Sequence, residues 1–215
     1  MEMSDTNKFI NNLYKEEDWI KQFRNENKDY PIIKEDTSRF LITMLSLKNP
    51  SSILEVGTCI GFSAIIMAKH LQNTHVTTIE RYKVMADKAK INFSRFNVND
   101  KITLIEESAI YALQNLNNTY DFIFLDAAKG QYINFLPHIL RLLNINGIII
   151  SDNILQDGKI IENIENIEKR QRTIYNNMHK FLHAITTTDG LQTTILPIGD
   201  GVSITVKTDV KTPTI

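Results

Sequence analysis

From Ser52 onward the chain alternates short apolar runs with longer segments of helical period, and this restricts its fold more than any other feature. Ser52–Val56, Val76–Ile79, Ile102–Ile105, Phe122–Leu125 and Ile148–Ile150 read as strands, with helices expected over 61–71, 82–96, 108–116 and 131–143. Five strands separated by helices imply βαβ units, hence a doubly wound α/β domain whose parallel sheet is covered on both faces. A long helix over about 160–185 is expected next. Leu191–Leu196 and Val202–Val206, joined by Pro197-Ile198-Gly199-Asp200-Gly201, lie too close for a parallel crossover and predict a terminal antiparallel pair. Ahead of the strands, Phe9, Ile10, Leu13, Trp19, Ile20 and Phe23 recur at helical spacings, and a second helix is expected from Glu35 to Leu47. Tyr30-Pro31 and Asn49-Pro50 end these two regions. Residues 1–207 thus read as one domain, with 1–50 as a helical cover over the core, and 208–215 as a frayed tail.

Composition narrows the function. With 24 Lys+Arg against 25 Asp+Glu, the chain is no generic polyanion binder, although a local basic patch remains open to it. Cys59 is the sole cysteine, which excludes a disulfide framework and a four-cysteine zinc site. No run approaches the ~20 apolar residues of a membrane span, and the polar, acidic start lacks a signal-peptide core. A cytoplasmic protein with no membrane partner is expected.

Ligands of open α/β sheets bind beyond the carboxyl ends of the strands. After the first strand, Glu55-Val56-Gly57-Thr58-Cys59-Ile60-Gly61-Phe62-Ser63 keeps one glycine of a dinucleotide fingerprint. It retains the acid-x-Gly-x-x-x-Gly turn of S-adenosylmethionine (SAM) methyltransferases; nucleotide binding or a purely structural turn are the alternatives. Gly57 would let backbone approach the ligand, and Gly61 would open the next helix. Glu80, at the second strand tip, can accept both ribose hydroxyls. Ser108 in Glu107-Ser108-Ala109 can meet an adenine edge. The fourth and fifth strands deliver Asp126 and Asp152-Asn153, hard oxygen donors suited to Mg²⁺ rather than zinc; as an alternative, such residues cap strand ends. Cys59 reads as a small packed residue. His179 and His183 are RNA-facing or solvated. Lys169, Arg170, Arg172 and Lys180 could meet RNA phosphates, against the alternative of a solvated face.

Glu55-x-Gly57-Thr-x-x-Gly61-x-Ser63, Glu80-Arg81, Asp126-Ala-Ala-Lys129-Gly, Asp152-Asn153 and Pro197-x-Gly-Asp-Gly201 resemble the metal-dependent catechol and caffeoyl-CoA O-methyltransferases from about residue 30 to 207. More narrowly, Asp126-Ala-Ala-Lys-Gly-Gln-Tyr132 and Glu168-Lys-Arg-Gln-Arg172 resemble the bacterial tRNA 5-hydroxyuridine methyltransferases, which form 5-methoxyuridine at the wobble position. The resemblance implies a Rossmann-like class I methyltransferase with a seven-stranded sheet and a reversed last strand. It also implies that Asp126, Asp152 and Asn153 hold Mg²⁺ or another divalent cation, and that Ile33, Ser63, Glu80, Ser108, Ala109 and Asp126 surround SAM. The glycine turn adds Glu55 and Gly57 to that cofactor set. Lys129 is the candidate base or oxyanion partner, beside Asp126 at the catalytic centre. A homodimer acting on tRNA is expected; a small-molecule catechol substrate is the alternative, and a non-catalytic SAM- or RNA-binding protein a third reading. One departure stands out: relatives carry Gly-Asp-Ala where this chain has Glu107-Ser108-Ala109, which removes a carboxylate from the adenine contact.

Overall fold

The computed structural model describes residues 5–209 of the chain. Seven strands form one sheet: β1 (Ser52–Val56), β2 (His75–Ile79), β3 (Ile102–Ile105), β4 (Tyr120–Leu125), β5 (Leu143–Ser151), β6 (Leu191–Leu196) and β7 (Val202–Lys207). Their order is β3-β2-β1-β4-β5-β7-β6, parallel through β5, with β7 antiparallel to both its neighbours. The reversed last strand is therefore present, wedged between β5 and β6. The order turns back between β1 and β4, which opens a crevice at their carboxyl ends.

Each parallel strand is apolar on both faces because helices cover both. Ile53, Phe122, Phe124 and Ile150 pack with α4 (Phe62–His70) and α5 (Lys83–Arg95). Leu54, Val56, Ile123 and Leu125 face the other way, toward α6 (Ala109–Asn115), α7 (Tyr132–Leu142) and α8 (Arg172–Thr187). The side-chain period of two sorts neighbouring residues into two cores.

The N-terminal helical region is two helices, α1 (Asp5–Asn12) and α2 (Asp18–Glu26), broken over 13–17. The acidic run Glu16-Glu17-Asp18 explains the break, since carboxylates favour a helix N-terminus over a helix interior. Ile20 and Phe23 are buried, and Phe23 stacks on Phe62 with ring centroids 4.9 Å apart; Phe9, Leu13 and Tyr14 stay exposed. Arg24 donates to the Ile33 carbonyl and to Ser38 Oγ, which ties the irregular segment 31–34 to α2 and to α3 (Glu35–Lys48).

The long helix expected over 160–185 begins only at Arg172. Before it, Gln156–Ile161, Ile164–Asn166 and Lys169–Gln171 form separate 3-10 turns. The isoleucines and asparagines of Ile160–Ile167 explain this: β-branched side chains lose rotamer freedom in a helix, and asparagine offers the backbone a competing partner. Thr208, placed at the start of the frayed tail, instead donates its N–H to the Gly190 carbonyl at 2.8 Å; the rest of that expectation, from residue 210, lies outside the described residues. Among the described residues no helix is long and apolar enough to cross a membrane.

Candidate active site

A cavity of about 880 Å³ opens at the carboxyl ends of the strands. Gly57, Ser63, Glu80, Ser108, Ala109, Asp126, Lys129, Asp152 and Asn153 all line it, and Ile33 closes it from the segment above. Apart from Ser63, which lies in the first turn of α4, and Ile33, each of these positions follows within a few residues of a strand end, which is why one crevice gathers residues so far apart in sequence.

At the glycine turn, the Gly57 and Thr58 N–H groups both donate to the Ile79 carbonyl at 3.1 Å. Gly61 takes the N-cap position of α4. Glu80, 8% exposed, accepts the Cys59 N–H on one oxygen at 2.9 Å and the Tyr82 N–H on the other at 2.8 Å. Both carboxylate oxygens are thereby oriented, with lone pairs left for two hydroxyls. Ser108 is the N-cap of α6, and its own N–H donates to Glu107 at 2.7 Å. Cys59 is half-buried and also lines the cavity, and burial pushes its thiol up to about 11, away from the thiolate form.

Glu55 is the departure among the expected cofactor residues. It is fully buried and does not line the cavity; its carboxylate accepts the Ser63 and Thr78 hydroxyls behind the turn. As a strand residue two before Gly57, it shares the face of Ile53, which points at α4 rather than outward. Ser63 therefore lines the cavity while its hydroxyl is turned back onto Glu55. Burial pushes the Glu55 carboxyl from 4.5 up to about 7, against the pull of the two hydroxyls, with Glu80 adding a smaller push.

The folded protein thus holds a proton on Glu55 that the unfolded chain releases, and stability falls as pH rises through that window before levelling off. The shift corresponds to about 3 kcal/mol at neutral pH. Glu55→Gln cannot ionise, so urea unfolding should show the variant gaining on the wild type between about pH 5 and about pH 8. A difference that does not vary with pH would mean that Glu55 does not titrate in this window.

The other part of the site is acidic. Asp126 N–H continues the β4 ladder to the Val56 carbonyl at 3.0 Å, and Asp152 N–H continues the β5 ladder to the Leu125 carbonyl at 3.0 Å. Asn153, at φ +61, brings Nδ2 to 2.9 Å from Asp126 Oδ1, while its N–H donates to Asp152 Oδ1 at 2.7 Å. Enclosure raises both carboxyls; the nearby Glu55 charge raises Asp126 further, and Asp126 does the same to Asp152. Lys129, in the Lys129–Gln131 turn, opposes both shifts from a distance, and among the described residues no cation pairs directly with either aspartate. Two crowded carboxylates without a counter-ion fit a divalent cation, and a turned Asn153 amide would add a third hard oxygen. No group of three His, Cys, Asp or Glu able to hold a metal occurs among the described residues, so the candidate set is two acids and an amide.

None of the four basic candidates lines the cavity. Lys169 and Arg170 sit exposed in the 3-10 turn before α8, with Arg170 paired to Glu168 at 2.7 Å. Arg172 donates to the Ile167 and Glu165 carbonyls at 3.0 and 3.2 Å, a brace for the start of α8 that engages its guanidinium internally. Lys180, His179 and His183 are exposed on α8. The apolar walls were missed from sequence: Tyr82, Met85, Ile110 and Phe135 line the cavity, and only their places at the starts and inner faces of helices mark them.

The O-methyltransferase family profile matches residues 7–208. A caffeoyl-CoA O-methyltransferase from Populus kitakamiensis is 28% identical over 176 residues, covering 79% of this chain and 75% of its own. A catechol O-methyltransferase from Niastella koreensis is 30% identical over 135 residues, or 60% of this chain and 61% of that one. A solved chain from Staphylococcus aureus, provisionally named for caffeoyl-CoA methylation, superposes with a TM-score of 0.85 at 29% identity, over 94% of this chain and 100% of the other. The likeness runs through the whole sheet rather than through the glycine turn alone.

Proposed function

The chain belongs to the O-methyltransferase family, and on that premise we propose that it transfers the methyl group of SAM to one of two neighbouring oxygens beside Asp126, Asp152 and Asn153. The observation that carries this reading is a single cavity lined both by the glycine turn with Glu80 and by the aspartate pair with Lys129. Glu80 would take the ribose hydroxyls, and Ser108 and Ala109 would meet the adenine edge between the apolar walls of Tyr82, Met85 and Ile110. Asp126, Asp152 and Asn153 would hold the cation. When bound, Mg²⁺ would favour the ionised acceptor oxygen and offset its charge, while SAM supplies an activated methyl group. The chain's own part is then alignment, the fixed walls holding donor and acceptor in line at near-contact distance. Lys129 Nζ would receive the acceptor's proton or lie against its charge.

The acceptor we propose is 5-hydroxyuridine at the wobble position of tRNA, whose O5 and O4 form such a pair. The segments 126–132 and 168–172 support it, as does the seating of α8 on the Lys129 turn through Asn177 Nδ2 and the Gly130 carbonyl at 2.7 Å. A small catechol is the second reading, favoured by the similarity to the Niastella koreensis enzyme. Incubation with labelled SAM, Mg²⁺ and tRNA containing 5-hydroxyuridine, followed by nucleoside mass spectrometry, tests both. A chelator-sensitive gain of one methyl on that nucleoside is expected. Methylation of free catechol with none on tRNA would move the acceptor to small molecules and leave Lys169, Arg170 and Lys180 as a solvated face.

Lys129→Ala should lower kcat by roughly 10²-fold with SAM affinity retained, as titration calorimetry would show. Loss of SAM binding instead would make Lys129 a cofactor contact.

A further inference from the structure

We propose that Tyr132 is a positioning residue that sets the spacing of Asp126 and Asp152, its hydroxyl tying the tips of β4 and β5 together. This rests on the metal reading above. Tyr132 opens α7, is fully buried and does not line the cavity. Its ring stands edge-on to Phe181 of α8, with centroids 5.4 Å apart, so its direction is fixed by packing. The hydroxyl accepts the Ala127 N–H at 3.2 Å, and the Leu125 and Asp152 carbonyls lie within donating reach at 3.2 and 3.1 Å. One oxygen thus touches the backbone on both sides of Asp126 and the backbone of Asp152 itself.

The sheet alone does not fix these carboxylates. The ladder between β4 and β5 ends at Leu125 and Ser151, and one further bond, Asp152 N–H to the Leu125 carbonyl, reaches past it. The Leu125 carbonyl has that second partner, whereas the Ala127 N–H and the Asp152 carbonyl meet the Tyr132 hydroxyl. Mg²⁺ demands short, near-octahedral contacts, and groups that orient metal ligands affect affinity strongly. Of the expected cofactor residues, Gly57, Glu80 and Ser108 stand at β1, β2 and β3 tips that the hydroxyl does not touch, and Asp126 alone is shared with the cation set. Loss of the hydroxyl should therefore separate cation binding from cofactor binding.

The test compares wild type with Tyr132→Phe, which keeps the ring against Phe181. Mn²⁺ is titrated into metal-free full-length protein without acceptor, reading free Mn²⁺ by electron paramagnetic resonance, and SAM is titrated separately by calorimetry. The expected result is Mn²⁺ binding weaker by roughly 10-fold or more with SAM affinity unchanged. If Tyr132→Phe fails to fold, Phe181→Leu keeps the hydroxyl but loosens the ring's seat, and should shift Mn²⁺ affinity the same way by less. Unchanged Mn²⁺ affinity in the folded variant, or equal losses for Mn²⁺ and SAM, overturns the tie and leaves the metal reading standing. Failure of the wild type to bind Mn²⁺ overturns the metal reading and this inference with it.

Discussion

Asp152→Ala is expected to reduce methyl transfer by at least about a thousand-fold while leaving the protein folded, because on the proposed mechanism several kcal/mol of charge stabilisation would depend on a cation that Asp152 would help hold. The structural reason is its place: 2% exposed, one residue beyond β5 and within electrostatic reach of Asp126, with no cation among the described residues paired directly to either. Stability should move the other way. In metal-free protein burial first and then the Asp126 charge disfavour the ionised form of Asp152, so removing it takes away a carboxylate held in an unfavourable setting. Rate assays in Mg²⁺ and calorimetric melting in chelator would read the two effects separately. Turnover that survives both the substitution and chelation would remove the cation from the mechanism.

Gly57→Ala is the other large effect, and here fold and function should fail together. At φ +108, a Cβ on Gly57 would fall 1.9 Å from the Asp126 carbonyl oxygen and 3.2 Å from Ala127 Cα. Both are backbone, so no rotamer can yield; the β4 tip must move, and Asp126 with it. A loss of roughly 2–4 kcal/mol in unfolding free energy is expected, with SAM binding abolished. Gly158 supplies the control: at φ +85 it has nothing within 4 Å of the added Cβ. Gly158→Ala should therefore cost only the left-handed backbone, about 1–2 kcal/mol, with SAM affinity intact. Equal effects at the two positions would mean that the contact with Asp126 is not what makes Gly57 necessary.

The strands were legible because each is an apolar run closed by a polar residue, and the same boundary exposed Asp126 and Asp152. Order along the sheet was legible only at its reversed end, where residues 197–201 leave no room for a crossover. Glu55 was misplaced because adjacency to a glycine turn says nothing about which way a strand side chain points. The alternation Ile53, Leu54, Glu55, Val56 carried the answer, since it puts Glu55 on the Ile53 face. The expected helix over about 160–185 starts only at Arg172, because asparagine and β-branching in the segment before it favour separate 3-10 turns. Arg172 looked like a phosphate contact by charge, but its partners are carbonyls of the turns that precede it. Tyr132 had no signal of its own: an aromatic residue at a helix start does not reveal that its hydroxyl reaches two strand tips.

The wedged position of β7 has a consequence for synthesis on the ribosome. Residues 202–207 form ladders with both β5 and β6, and the Gly201 and Asp200 carbonyls receive the Ile154 and Leu155 N–H groups just past Asp152. Until those residues emerge, β5 has a bare edge, β6 has no place in the sheet, and the loop behind Asp152 lacks its backing. Nascent chains can therefore build the β3-β2-β1-β4-β5 platform early, but they carry an open strand edge prone to mispairing with another chain. The aspartate pair reaches its final setting only as β7, which follows the other six strands of the sheet in chain order, slides into an interior slot.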